Sequence, residues 1–213
     1  GPLTQDLISS KSLDVMAISE TWTLKEDPDT ILLDVAPPGY SVLHVPRPDT
    51  TSAARGGGLC FVFREDLTVK PHRLHRKLRH TSFELQLLHV SDSAKNKDPG
   101  VVIANIYRPP KSSLPIFLDE LSDLFTDCAS YIQKDRFIAC GDFNSPGDPA
   151  GNASVNPVLM TVFDIHGLTQ HVSEPTRSTE STSNILDLVV SRDTQPSCVR
   201  DIRVCSSHHI SDH

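Results

Sequence analysis

Phe137-Ile138-Ala139-Cys140-Gly141-Asp142-Phe143-Asn144 decides how this chain is read. Four apolar residues form a short buried strand, and a glycine followed by a carboxylate and an amide stops it. A loop of Pro, Gly and Asp comes next, and Asn156-Pro157 opens a helix predicted to run to about Gly167. The same order recurs upstream. Val101 to Tyr107 is an apolar strand halted by Pro109-Pro110, and Leu114, Phe117, Leu118, Leu121, Leu124 and Phe125 then recur at helical spacing behind Ser112-Ser113. Further upstream, Phe83, Leu85 and Leu87 alternate with Glu84 and Gln86, which predicts a strand with one wet face. Arg55-Gly56-Gly57-Gly58 opens the strand Leu59 to Phe63. Leu13 to Ile18 reads as a buried strand that delivers Glu20, preceded by a short helix from Leu3 to Ser10 with Pro2 near its start. Downstream, Ile185 to Val190 and Ile202-Arg203-Val204 are the remaining predicted strands. There is no internal repeat and no Gly/Ser linker. Strands outnumber helices and do not alternate regularly with them, so two sheets flanked by helices fit better than a doubly wound fold.

The 213 residues suit one large α/β domain. Hydrophobic residues make up 38% and charged residues 22%, ordinary values that leave no disordered block. Five scattered cysteines without a C-x-x-C pair predict an intracellular, reducing setting without structural zinc. No apolar run reaches the length of a membrane span, and no signal peptide is visible. The formal net charge of −7 argues against a nucleic-acid partner. Two things weigh on the other side. Acidic residues that hold a cation have their charge offset by it, and positive charge clusters in Lys70 to His80. That cluster reads either as a solvated edge strand or loop, or as a ridge against phosphates.

Polar residues stand where the apolar strands end. Glu20 ends one, Tyr107 the next, and Asp142 and Asn144 a third. Asp187 lies inside an otherwise apolar run, where a buried carboxylate needs a partner. Asp212 and His213 follow the last strand. Taken singly, each is an ordinary turn, tip or terminus. Together, at one edge of a sheet, carboxylates, an amide, a phenol and an imidazole suit a hard cation and a phosphate.

Ser19-Glu20-Thr21-Trp22, Arg55-Gly56-Gly57-Gly58, Asn105-Ile106-Tyr107-Arg108-Pro109-Pro110, Gly141-Asp142-Phe143-Asn144, Ile185-Leu186-Asp187-Leu188-Val189 and Ser211-Asp212-His213 occur in that order across nearly the whole chain. This series resembles the endonuclease/exonuclease/phosphatase superfamily, in its branch from LINE-type (non-LTR) retrotransposons. The resemblance implies a four-layer α/β-sandwich of two packed mixed sheets flanked by helices. It implies a Mg²⁺-dependent endonuclease, with Mn²⁺ as a substitute, that nicks double-stranded DNA and leaves a 3′-hydroxyl for target-primed reverse transcription. The implied setting is nuclear, in a polyprotein with a reverse transcriptase domain and without a membrane.

By position, the resemblance makes Glu20 and Asp212 metal ligands. Asp142 would orient and deprotonate the attacking water, Asn144 would hold the phosphate or that water, and Tyr107 would bond a phosphate oxygen. His213 would stabilise the transition state while Asp187 holds its other nitrogen. Arg55, Arg108, Thr176, Arg177 and Ser211 would contact DNA, with the segment from Arg177 to Asn184 as a hairpin near the substrate. The family also has an Asn-bearing first strand and one more core strand at the end, and both are expected to be missing from this single domain. Two other functions share the residue set. One is a phosphoesterase acting on inositol or lipid phosphates. The other is an impaired remnant that binds nucleic acid or protein.

Overall fold

The computed structural model describes residues 2–23, 34–46, 56–75, 79–95, 98–147, 153–179, 182–194 and 198–205. A helix, α1 (Pro2–Lys11), comes first, with Ile8 buried. A small antiparallel sheet follows, built from β1 (Val15–Ser19), β2 (Tyr40–Val45) and β3 (Leu59–Arg64) in the order β1-β3-β2. The large sheet holds β4 (Leu67–Pro71), β5 (Glu84–Asp92), β6 (Val101–Tyr107), β7 (Phe137–Asp142), β8 (Thr169–Gln170) and β11 (Asp187–Ser191), ordered β4-β5-β6-β7-β11-β8. It is mixed, because β6 and β7 run parallel while the other neighbours are antiparallel. Helices α2 (Leu114–Asp127), α3 (Ala129–Ile132) and α4 (Pro157–Ile165) belong to its far face. A two-stranded ribbon, β9 (Arg177–Ser178) with β10 (Ser183–Asn184), stands beside it.

The four layers follow from strand alternation. In β3, Cys60 and Val62 face α1 and join Ile8, whereas Phe61 faces the large sheet with Leu88 and Val90 of β5. In β6, Val102, Ala104 and Ile106 face the helices and meet Phe117, Leu121, Leu124 and Phe125 of α2. Pro115 lies in the first turn of α2, and Asn156 caps α4 by accepting from Val158 N at 2.9 Å.

Three expectations change. The alternation at Glu84 and Gln86 marks the inter-sheet face, not a wet one. Gln86 is 6% exposed, and its Nε2 donates to Leu43 O across the sandwich at 2.9 Å. Asn105, its register neighbour, donates Nδ2 to Ile18 O at 3.0 Å and Cys60 O at 3.3 Å. These amides match polar groups between layers that the pattern takes for solvated. Second, Ile202-Arg203-Val204 is not a strand; Ile202 and Val204 pack partly against the core, and β8 occupies the place beside β11. Third, Asp187 begins β11 half-buried instead of lying inside it. Among the described residues, no helix is long and apolar enough to cross a membrane.

Candidate active site

Four acidic or phenolic side chains stand in one row across the large sheet. Glu84 of β5 is opposite Tyr107 of β6, Tyr107 is opposite Asp142 of β7, and Asp142 is opposite Asp187 of β11. Register partners share a face, so all four project toward the side covered by the small sheet. At about 4.8 Å between strands, the row is roughly 14 Å long. Tyr107 is 4% exposed and Asp142 2% exposed, so the centre of the row is desolvated. Two of its neighbours, Asp142 and Asp187, are like charges set directly opposite, an arrangement that repulsion disfavours in a sheet.

Glu20 reaches this row from the small sheet. Tyr107 Oη donates to Glu20 Oε1 at 2.5 Å, and among the described residues nothing else bonds that carboxylate. The turn carrying Glu20 is unusual, because Glu20 and Trp22 both have φ of 57°. Such backbone in non-glycine residues costs on the order of 1–3 kcal/mol each and persists only where neighbours over-determine it. Those neighbours are visible. Thr21 N donates to Gly58 O at 3.2 Å and Trp22 N to Gly57 O at 2.9 Å. Thr21 Oγ1 lies 3.1 Å and Thr23 Oγ1 2.6 Å from His44 Nε2 of β2. Gly58 N in turn donates to Glu84 Oε2 at 2.7 Å, which closes the loop onto the large sheet. Gly58 has φ of 88°, and a Cβ there would strike Thr21 Oγ1, so the glycine run is needed where it passes under this turn.

The Gly-Asp-Phe-Asn segment is built by three constraints. A Cβ at Gly141 would fall inside the Ile106 carbonyl of the adjacent strand. Phe143 is fully buried and meets Phe117 and Phe163 edge-on, with centroids 6.1 and 6.0 Å apart. That anchor leaves Asp142 and Asn144 together on the other side. Asp142 Oδ1 accepts from Asn144 N at 2.9 Å, and its Oδ2 accepts from Asn144 Nδ2 at 2.8 Å. Asn144 has φ of 44°, which Asn tolerates better than most residues.

Arg108 was expected on the DNA, but it is 5% exposed. Its guanidinium donates to Asn144 O and Ser112 O at 2.6 Å each and lies 5.3 Å from the Phe117 ring centroid. Burial lowers its pKa from the ordinary value, while Asp142 nearby raises it. This arginine braces the Asn144 turn from beneath. Thr176 also faces inward, its Oγ1 accepting from Leu186 N and Asp187 N at 3.0 Å each. It thereby fixes the start of β11 and Asp187 with it. Arg177 does line an open cleft of about 350 Å³ with Asn144, Thr179, Thr182 and Asn184. The basic run meets the helix layer, with His75 N donating to Asp127 Oδ2 at 2.7 Å and His72 edge-on to Tyr131. Arg55, Ser211, Asp212 and His213 lie outside the described residues.

The described residues thus bring together Glu20, Tyr107, Asp142, Asn144 and Asp187. They add Glu84, which sequence reading took for a solvated position. Its signal was available only once the strand register was known. Desolvation raises the thiols of Cys60, Cys128 and Cys140 to about 12, which disfavours their thiolate forms at neutral pH. Among the described residues no three His, Cys, Asp or Glu side chains converge on one metal position.

A mixed sheet and a smaller one pack between helices, with this rim of carboxylates, amide and phenol at one edge. Solved structures bear out the fold. The endonuclease domain of TRAS1, a telomere-specific non-LTR retrotransposon, is 16% identical with a TM-score of 0.67, covering 99% of this chain and 86% of that one. The human Nocturnin catalytic domain is 15% identical with a TM-score of 0.57, covering 90% and 74%. AP endonuclease LMAP from Leishmania major is 11% identical with a TM-score of 0.56, covering 88% and 72%. No curated protein matches the sequence. The family model for endonuclease-reverse transcriptases matches residues 101–213, more than half of the chain, and the chain belongs to that family. It is therefore a phosphoesterase of the nuclease type.

Proposed function

We propose that this chain is a Mg²⁺-dependent DNA endonuclease that nicks one strand by phosphodiester hydrolysis and leaves a 3′-hydroxyl. The observation that carries the reading is the row Glu84–Tyr107–Asp142–Asp187 with Glu20 held over it by Tyr107. The donor set fits a hard cation, since Glu20, Asp142 and Asp187 offer carboxylate oxygens. Glu20 would hold the ion together with Asp212, and the ion would offset the opposed carboxylates of Asp142 and Asp187. When bound it supplies charge neutralisation on the scissile phosphate and the leaving oxygen. Asp142 takes the proton of the attacking water at a carboxylate oxygen. Asn144 keeps that carboxylate in one orientation through two hydrogen bonds. Tyr107 has committed its proton to Glu20, so it positions the carboxylate. Asp187 would orient His213, whose imidazole would meet charge on the phosphate. Arg177 and the hydroxyls of Thr179 and Thr182 line the neighbouring cleft and would contact backbone phosphates without reading bases. In this reading the 3′-hydroxyl primes a reverse transcriptase elsewhere in the same polyprotein, in the nucleus.

The substrate class is tested by offering supercoiled plasmid and inositol phosphates side by side, each with Mg²⁺. Conversion of the plasmid to open circles without phosphate release from the inositol compounds is expected. Release from inositol phosphates with intact plasmid would move the chain to another branch of the superfamily.

A further inference from the structure

Trp22 is the chain's single tryptophan, and it is 62% exposed. Indole is large and apolar and is highly buried on average, so this exposure is uncommon. The ring is not displayed on a slack loop. Trp22 holds a strained left-handed φ of 57°, its N–H donates to Gly57 O at 2.9 Å, and both flanking threonines bond His44. The backbone thus keeps a conformation it would otherwise avoid, and the side chain gains no burial from it. The turn is the one that delivers Glu20. Two residues span at most about 7 Å, which is about two nucleotide steps along a strand.

We propose that Trp22 is a substrate-stacking residue, its indole lying against a base one or two nucleotides from the scissile phosphate at the rim formed by Glu20, Tyr107 and Asp142. This rests on the endonuclease reading above. A base is the fitting occupant because the site beside it addresses the backbone, and the π-face of a base at a step partly unstacked beside the scissile phosphate accepts indole without selecting sequence. Stacking here fixes the strand's path relative to the scissile phosphate, a contact the hydrogen-bonding residues of the row do not supply.

Because Trp22 is the only tryptophan, its emission reports the contact directly. The full chain is titrated with a fluorescein-labelled DNA duplex, Ca²⁺ replacing Mg²⁺ to hold back cleavage. Tryptophan emission is followed with unlabelled duplex and anisotropy with the labelled one. Emission is expected to quench in step with binding. Trp22→Ala is expected to weaken binding and raise KM for plasmid nicking by about 5- to 150-fold, with kcat changed much less. Trp22→Phe, which keeps a ring, should remain near wild type. Binding seen by anisotropy with unchanged emission, or Trp22→Ala binding as tightly as wild type, would overturn the stacking role and leave the endonuclease reading standing. No DNA binding in any arm would sink both.

Discussion

Tyr107 carries its hydroxyl from the buried end of β6 to the carboxylate in the turn after β1, and with the Gly58–Glu84 bond it ties the two halves of the site. Tyr107→Phe keeps the ring and removes only the donor. Hydrogen bonds to a charged group contribute about 1.5–3 kcal/mol, so nicking at limiting Mg²⁺ should fall by about 10- to 100-fold. Raising Mg²⁺ should recover part of the loss, because the variant loosens Glu20 and leaves Asp142 in place. Rates across a Mg²⁺ titration check this, and a uniform loss at every concentration would refute the positioning role. At this scale the sequence was informative where a polar residue ended an apolar run, as at Glu20, Tyr107, Asp142 and Asn144. It misled where residue type alone implied an environment. Arg108, a DNA contact by resemblance, is buried and donates to the Asn144 and Ser112 carbonyls, because a guanidinium suits a set of carbonyls as well as it suits DNA. Glu84 and Gln86 read as solvated, because the second sheet that covers them is invisible in local sequence.

Helix α2 is fastened to the entry of β5 by one residue. Glu120 accepts from Thr81 N at 2.9 Å, Thr81 Oγ1 at 2.7 Å, Ser82 N at 3.0 Å and Ser82 Oγ at 2.5 Å. Burial works to raise its pKa, but these bonds outweigh burial and hold the carboxyl below its ordinary value of 4.5. A depressed carboxylate pKa means the folded state binds its proton later than the unfolded chain does. The stabilisation is therefore complete above about pH 4.5 and is lost as pH falls through the lower folded value. Glu120→Ala should cost about 1–3 kcal/mol at neutral pH, and the gap from wild type should narrow in acid. Urea unfolding of both proteins at pH 7 and pH 3.5 measures it, and a gap independent of pH would contradict the account. Elements with strong signals were legible. The strand Val101–Tyr107 and helix Leu114–Asp127 stand where apolar period and prolines place them. Strand β2 carries β-forming Tyr40, Val42 and Val45 but was not predicted from pattern, while the two-residue strands β8, β9 and β10 are made by pairing and leave no pattern to read. Ile202-Arg203-Val204 failed in the opposite direction, being apolar enough for a strand but packed as irregular chain.

At the level of the whole molecule, layering converts scattered sequence positions into one site. Glu20 and Asp187 are far apart in the chain, yet the small sheet lowers one onto the row that contains the other. The layered architecture could be inferred because strands outnumber helices without regular alternation; the register that forms the row could not. A net charge of −7 is compatible with DNA chemistry when acidic residues collect at a rim that a cation would neutralise. The most direct test is Mg²⁺-dependent nicking of supercoiled plasmid by the chain and by Asp142→Asn. Asn is nearly isosteric and removes the carboxylate proposed as the proton acceptor. Nicking by the parent with extendable 3′-hydroxyl ends is expected, with a loss of about 10²- to 10⁴-fold in Asp142→Asn and unchanged DNA binding. Asp142→Asn nicking as fast as the parent would contradict the assignment of this row as the catalytic site.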